Sequence, residues 1–308
     1  MILCCGEALI DMLPATTTTG ADAFVPCPGG AVFNTAIALG RLGVQTGLLS
    51  GLSLDLFGRQ LTEALKASHV DLSHVVTSER PTTLAFVRLV DGHATYSFFD
   101  ENSAGRMLNA SDMPTLAQDI TALFLGGISL ACEPCADAYA GLLARESSKR
   151  AVILDPNVRP DFIHDIDGYR ARLDRMMRLA DVVKVSDEDL NWLDPSPLSL
   201  TAKIETLLQK GPGIVILTRG GDGATGYMAD GTVIHAQAQP VKIVDTVGAG
   251  DTFNAGFMAK LSGQGVLCKT ALHALSPDLL AMAMRHASRA AAVTVSRSGA
   301  NPPWSTEL

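Results

Sequence analysis

Along the chain, short uninterrupted apolar runs alternate with stretches whose apolar residues recur every three or four positions. The runs 46–50, 122–125, 151–154, 182–185 and 213–218 are rich in Val, Ile and Leu. Runs that short and that evenly apolar suit parallel strands covered on both faces. Between them, 34–42, 59–68, 135–146, 168–179 and 201–209 carry helical spacing. Strand alternating with helix implies an α/β sheet with crossover helices. Two stretches break the pattern. Residues 83–90 (TLAFVRLV), the pair Asp91-Gly92 and residues 93–99 (HATYSFF) read as a β-hairpin, because Asp-Gly favours the positive φ of a tight turn. Residues 12–27 read as loop or strand of the same flap. The expectation is one domain, 1–308, with a small β lid from about 12–27 and 81–104 over a cleft.

The densest chemistry lies in DTVGAGDTFNAG, residues 245–256. Phe253, Phe257, Met258 and Leu261 fall on one helical face, so Gly248, Ala249, Gly250 and Asp251 lead into a helix N-terminus. There the first backbone N–H groups have no intrahelical partner and the helix dipole is positive. Small residues let a phosphate reach those N–H groups. Asp251 suits two roles. A carboxylate at a helix start can be an N-cap. Beside an anion-binding loop it can also be the base that takes an alcohol's proton during phosphoryl transfer.

Composition narrows the choice. Of 308 residues, 47% are hydrophobic and 18% charged, which describes a core-rich globular chain. A net charge of −8 weighs against nucleic acid or an acidic membrane surface as partner. The densest basic stretch, Arg170, Arg172, Arg175 and Arg178, is interleaved with Leu173, Asp174 and Met176 and reads as a solvated helix face. Glu7 and Asp11 interrupt the N-terminal apolar residues, which lack a basic lead, so neither a secretory signal nor a membrane span is expected, and the expected location is cytoplasmic. The six cysteines, Cys132 and Cys135 of CEPC included, read as structural thiols, since no second CxxC or HxxxH accompanies them. GDGATG (221–226) matches a dinucleotide-binding spacing, but YMADGTVIHAQ after it reads as strand, turn, strand and not as the required helix. P-loop, zincin and hydrolase-elbow motifs are absent from the sequence.

DTVGAGDTFNAGFM resembles the C-terminal signature of the ribokinase-like (pfkB-type) carbohydrate kinases, and GGAVFNTAIALGRLG (29–43) resembles their N-terminal one. Two departures stand out. Val32 occupies a position of Gly, Ala or Pro, and SLDLFG (53–58) replaces the Gly and first Asp of GDDxFG. The resemblance runs over essentially the whole chain, from CGEALID to RSGANP. It implies a three-layer α/β/α fold with a mostly parallel central sheet and a small β-sheet lid. It also implies ATP as phosphoryl donor, Mg²⁺ carried on ATP, and activation by K⁺. Asp11 corresponds to an acid that holds sugar hydroxyls, and Gly29, Gly30 and Asn34 to the sugar-binding floor. In DPNVRP (155–160), Asn157 and Arg159 correspond to groups near the sugar or the transferring phosphate. KVSDEDL (184–190) resembles a segment that organises magnesium through water. Ser186 and Asp189 stand there for its Asn and Glu, with Asp189 or Glu188 filling the acid's role. TRGGDG, with Thr218, Gly220 and Gly223, resembles the nucleotide-phosphate loop. SRSGAN (296–301) with Asp245 and Val247 resembles a monovalent-cation loop.

Within the family the pattern most resembles the bacterial fructokinases, so the expected reaction is transfer of the γ-phosphoryl of ATP to the primary hydroxyl of fructose. The competing substrate is 2-keto-3-deoxygluconate. Asp100 and Glu101 of FFDENSAG, expected beside the sugar, would repel its carboxylate, while Arg88 and Arg159 would attract it. A non-catalytic sugar and nucleotide sensor on the same fold is the alternative of another class; an intact Asp251 argues against it. An exposed lid sheet would offer a homodimer surface.

Overall fold

A computed structural model describes residues 1–90 and 93–308; the expected Asp91-Gly92 turn lies outside the described residues. In chain order the strands are β1 (Ile2–Cys5), β2 (Leu9–Thr16), β3 (Asp22–Gly29), β4 (Thr46–Leu49), β5 (Gly51–Ser53), β6 (Val76–Ser78), β7 (Leu84–Val90), β8 (His93–Phe99), β9 (Ala122–Gly126), β10 (Ala151–Asp155), β11 (Val182–Ser186), β12 (Ile214–Thr218), β13 (Ala224–Met228) and β14 (Val233–Ala236). The helices are α1 (Ala31–Arg41), α2 (Leu56–Ala67), α3 (Cys135–Glu146), α4 (Ile166–Leu179), α5 (Asp187–Leu193), α6 (Leu200–Lys210), α7 (Ala249–Gly263), α8 (Lys269–Leu272) and α9 (Pro277–Val295).

The large sheet runs β14-β13-β12-β11-β10-β9-β1-β4, parallel from β4 to β12, with antiparallel β13 and β14 at one edge. Successive residues of a strand face opposite sides. Ile2 and Cys4 of β1 therefore enter a core with Phe33 and Ile37 of α1, Phe257 of α7 and Leu280 of α9. Leu3 and Cys5 enter a second core with Tyr139 of α3, Leu173 of α4 and Ile204 of α6. Two cores on one sheet make three layers, and they account for the unbroken apolar runs. Each fully buried Leu, Ile or Val contributes about 1.5–3 kcal/mol. The second sheet, β3-β2-β7-β8, joins residues 12–27 to the hairpin through the parallel β2–β7 pair.

Helices α2, α4 and α6 start earlier than apolar spacing alone places them, because capping residues set them. Asp55 accepts from Gly58 N at 2.7 Å and starts α2 at Leu56; Asp165 accepts from Gly168 N at 3.0 Å and starts α4 at Ile166. Helix α9, absent from the apolar-spacing reading, packs on α7 through small residues: a Cβ on Gly256 would stand 2.9 Å from the Ala287 Cα. An interface of Gly, Ala and Ser leaves little large-residue periodicity to detect. The basic stretch of α4 departs from a solvated face at two positions. Arg170 is half-buried, donates to the Trp192 carbonyl at 2.8 Å and lies over the Trp192 ring at 4.7 Å. Arg172 is buried, donates to the Leu130 carbonyl and to Asp137 at 3.1 Å each, and pairs with Glu133. Arg175 and Arg178 are exposed. The six cysteines are free thiols, and Cys135 donates to the Cys132 carbonyl at 3.1 Å. Among the described residues no helix is long and apolar enough to cross a membrane.

Candidate active site

A cleft of about 400 Å³ opens where β1, β10 and β11 end, with Tyr96 and Phe98 of β8 across from them. Ligands of open parallel sheets bind at this end because the loops after the strands converge there. The cleft brings together residues from all of the family motifs but SLDLFG, TRGGDG and SRSGAN. Asp11, Gly30 and Asn34 come from the N-terminal third, Asn157 and Arg159 from the loop after β10, Ser186, Glu188 and Asp189 from β11 and α5, and Val247 through Asp251 from the entry to α7.

Helix α7 begins with Gly248 as its N-cap residue in the left-handed region, φ 77°, with no side-chain cap. A side chain there would also meet Ala300, its Cβ 2.7 Å from that of Ala300. Gly250 and Asp251, in the first turn, line the cleft, and their N–H groups have no intrahelical partners. Asp251 is therefore not the cap. It sits three residues inside, buried, with Oδ2 accepting from Asn34 Nδ2 at 2.9 Å. Its carboxyl is pushed up from 3.8 to about 7, chiefly by burial. The Asn34 bond pulls it back, Asp155 pushes it further up, and Lys184 and Arg159 pull it down. A carboxyl poised there exchanges protons near neutrality, which general-base chemistry requires.

Asp11 and its neighbours form the polar floor. Gly29 lies outside the lining but packs beneath Asp11: a Cβ there would be 2.1 Å from Asp11 Oδ2. Burial lifts the Asp11 carboxyl to about 6, with Arg159 offsetting part of the effect. Gly30 holds φ 105°, which L side chains rarely adopt, and turns the chain into α1. Glu7 seals that turn, accepting from Ala31 N at 2.9 Å and from Ser129 N at 3.3 Å. Tyr96 and Phe98, two apart on β8, stack with centroids 5.8 Å apart, and Phe98 meets Phe162 edge-on at 4.7 Å. Ser186 caps α5 by accepting from Asp189 N at 3.0 Å, and Asp189 Oδ1 accepts from Val158 N at 3.1 Å, which fixes the Arg159 loop. Glu188 is exposed at the rim.

Other expected residues lie elsewhere. Thr218, Gly220 and Gly223 are outside the lining, one strand beyond Ser186, with Thr218 in register beside it. Gly220 is exposed with open space around it, whereas Gly223 is needed where Ala236 O would stand 2.3 Å from a Cβ. Asp245 staples two loops, accepting from Val247 N at 3.0 Å and from Gly299 N at 2.9 Å. The acids of FFDENSAG do not stand at the cleft, contrary to expectation. Asp100 is buried at the hairpin base, accepting from Thr83 at 2.5 Å and Ser103 at 2.7 Å. Neither it nor Glu101 lines the cleft, and Arg88 is exposed outside it. Sequence reasoning missed Glu7, Tyr96, Phe98 and Lys184 as lining groups; strand alternation put Tyr96 and Phe98 on one face, but nothing local marked that face as the inner one.

A helix N-terminus able to receive phosphate, a carboxyl poised near neutrality beside it and a polar floor suited to hydroxyls define a phosphotransferase that acts on an alcohol. Residues 1–307 match the model of the pfkB family of carbohydrate kinases, and the chain belongs to that family. Among relatives, it is 49% identical over 282 residues to a fructokinase of Rhizobium leguminosarum bv. trifolii, covering 91% of this chain and 85% of that protein. The crystal structure of fructokinase from Xylella fastidiosa with bound ATP superposes with a TM-score of 0.88 at 28% identity, covering 97% of this chain and 93% of that one. A fructokinase double mutant from Vibrio cholerae O395, with fructose, ADP and potassium bound, superposes with a TM-score of 0.85 at 26% identity, covering 97% and 93%.

Proposed function

We propose that the chain is an ATP-dependent fructokinase, converting fructose to fructose 6-phosphate. The observation that carries the reading is the contact of Asp251 with both the anion-binding helix start and the sugar floor through Asn34. In the proposed reaction the fructose primary oxygen attacks the γ-phosphorus, the bond from that phosphorus to the β-phosphate oxygen breaks, and ADP leaves. Asp251 takes the hydroxyl proton, and the Gly248–Asp251 backbone meets the charge on the transferring group. Asp11, Gly30 and Asn34 hold sugar hydroxyls; Asn157 and Arg159 orient the phosphoryl group, Arg159 by paired N–H donors.

Nucleotide binding along Ser186, Thr218, Gly220 and Gly223 fits their adjacent strand ends. Magnesium suits the donors at the cleft, which are oxygen atoms only: Glu188 at the rim and Asp189, whose Oδ1 is committed to Val158. Among the described residues no group of three His, Cys, Asp or Glu could cage a metal, so water and nucleotide phosphates would complete the shell. That ion would neutralise phosphate charge. The Asp245–Val247 loop, pinned against Gly299, fits a monovalent cation, and equal rates in sodium and potassium buffers would remove it. The small sheet closes over the cleft as a lid that excludes water. Phe24 and Phe99, exposed on either side of Phe86, support pairing with a second copy through that sheet, which sedimentation tests. The deciding experiment is ATP turnover with a sugar panel that includes 2-keto-3-deoxygluconate. Preferred turnover of another sugar overturns the substrate; fructose and ATP binding without turnover overturns the enzyme in favour of a sensor.

A further inference from the structure

We propose that Lys184 is a second cationic contact of the transferring phosphoryl group, beside Arg159, and that Asp155, braced by Asn254, is the positioning residue that aims it. The inference rests on the kinase reading above. Lys184 lies on β11, its ammonium 8% exposed as a side chain, yet it lines the cleft. Nζ donates to Asp155 Oδ2 at 2.9 Å, and the same oxygen accepts from Asn254 Nδ2 at 2.7 Å. One carboxylate oxygen thus ties β10, β11 and α7 together below the anion-binding turn. A Cβ built on Gly250 would stand 3.2 Å from Nζ, so the ammonium abuts the backbone that receives the phosphate.

An ammonium has three donors. Asp155 takes one, and no other acceptor bonds Nζ among the described residues. The second carboxylate oxygen, Asp155 Oδ1, is buried and unpartnered. A buried ion pair adds little net stability over apolar residues of equal volume. Its place against Gly250 gives it a use: unspent N–H donors facing the oxygens on which charge accumulates in phosphoryl transfer. Burial pushes the Lys184 ammonium down, but Asp155 outweighs it, so the group stays charged.

The test compares Lys184→Gln, Lys184→Arg, Asp155→Asn and the double variant Lys184→Gln/Asp155→Asn in the full chain. Readouts are kcat, the KM of each substrate, thermal melting, and affinity for magnesium ADP with and without aluminium fluoride as a transition-state mimic. Lys184→Gln is expected to lower kcat by about 10²–10³-fold, as loss of one preorganised donor does. The KM for fructose and the affinity for ADP should stay within about threefold, while ADP with aluminium fluoride weakens by about 10²-fold. Lys184→Arg should recover part of the rate. Asp155→Asn should lose about tenfold in kcat through the misaimed ammonium. The double variant leaves no uncompensated charge, so it decides the matter where Lys184→Gln does not fold; it should be as slow as Lys184→Gln. A folded Lys184→Gln or double variant with wild-type kcat and wild-type affinity for the mimic overturns the proposal. Should the wild type prefer another sugar, the substrate reading fails alone, and the same comparison is made with that sugar. No turnover with any sugar overturns both.

Discussion

Replacing Asp251 by Asn removes a charge and almost no volume, and the structure gives it two effects of opposite sign. In catalysis the proposed base is lost. A positioned general base contributes about 10²–10⁴-fold, so kcat should fall at least about 10²-fold, or roughly 2.7 kcal/mol. The KM for fructose should change little, because the floor residues remain. In stability the variant gains. The Asp251 carboxyl stands at about 7 against 3.8, with burial the main cause. Between those two values the folded chain keeps a proton that the unfolded chain has released. Wild-type stability therefore falls as pH rises through that window, and the loss is complete above about 7. At about 1.36 kcal/mol per unit, the penalty reaches at most about 2 kcal/mol at pH ~5 and about 4 kcal/mol at pH ~8. Asn carries no such penalty. Steady-state kinetics with fructose and thermal melts at both pH values read the two effects together. A kcat within tenfold of wild type would remove Asp251 from the chemistry, and equal melting at both pH values would refute the buried-charge account.

The remaining expectations are narrower. Wild-type kcat/KM should climb about tenfold per pH unit below about 7 and level above it, since only ionised Asp251 accepts the proton; an acid limb near the ordinary aspartate value contradicts the burial argument. Gly29→Ala drives a Cβ against Asp11 Oδ2 and should raise the KM for fructose by about tenfold or more with kcat little altered; an unchanged KM removes Asp11 from the sugar floor. Asp55→Ala deletes the α2 cap together with the Oδ1 and Oδ2 bonds to Thr82, which anchor the entry to β7. It should cost about 1–2 kcal/mol in denaturant unfolding, and an unaltered midpoint would show that the cap is dispensable.

What the sequence determined by itself was local. Unbroken apolar runs marked β10, β11 and β12 as doubly covered strands, and the glycines before Asp251 marked a helix start with free N–H groups, because strand burial and φ requirements are written in neighbouring residues. The tertiary structure decided everything that depends on residues distant in the chain. Asn34 meets Asp251 across 217 residues, and Asp155 meets Lys184 and Asn254 across two strands and a helix. Arg172 looked solvated by composition and is buried by the packing of α3 and α4, while Asp100 looked like a substrate neighbour and turns into the hairpin base. Proton affinity and ion pairing follow desolvation and through-space charge, and neither quantity exists until the chain has brought those groups together.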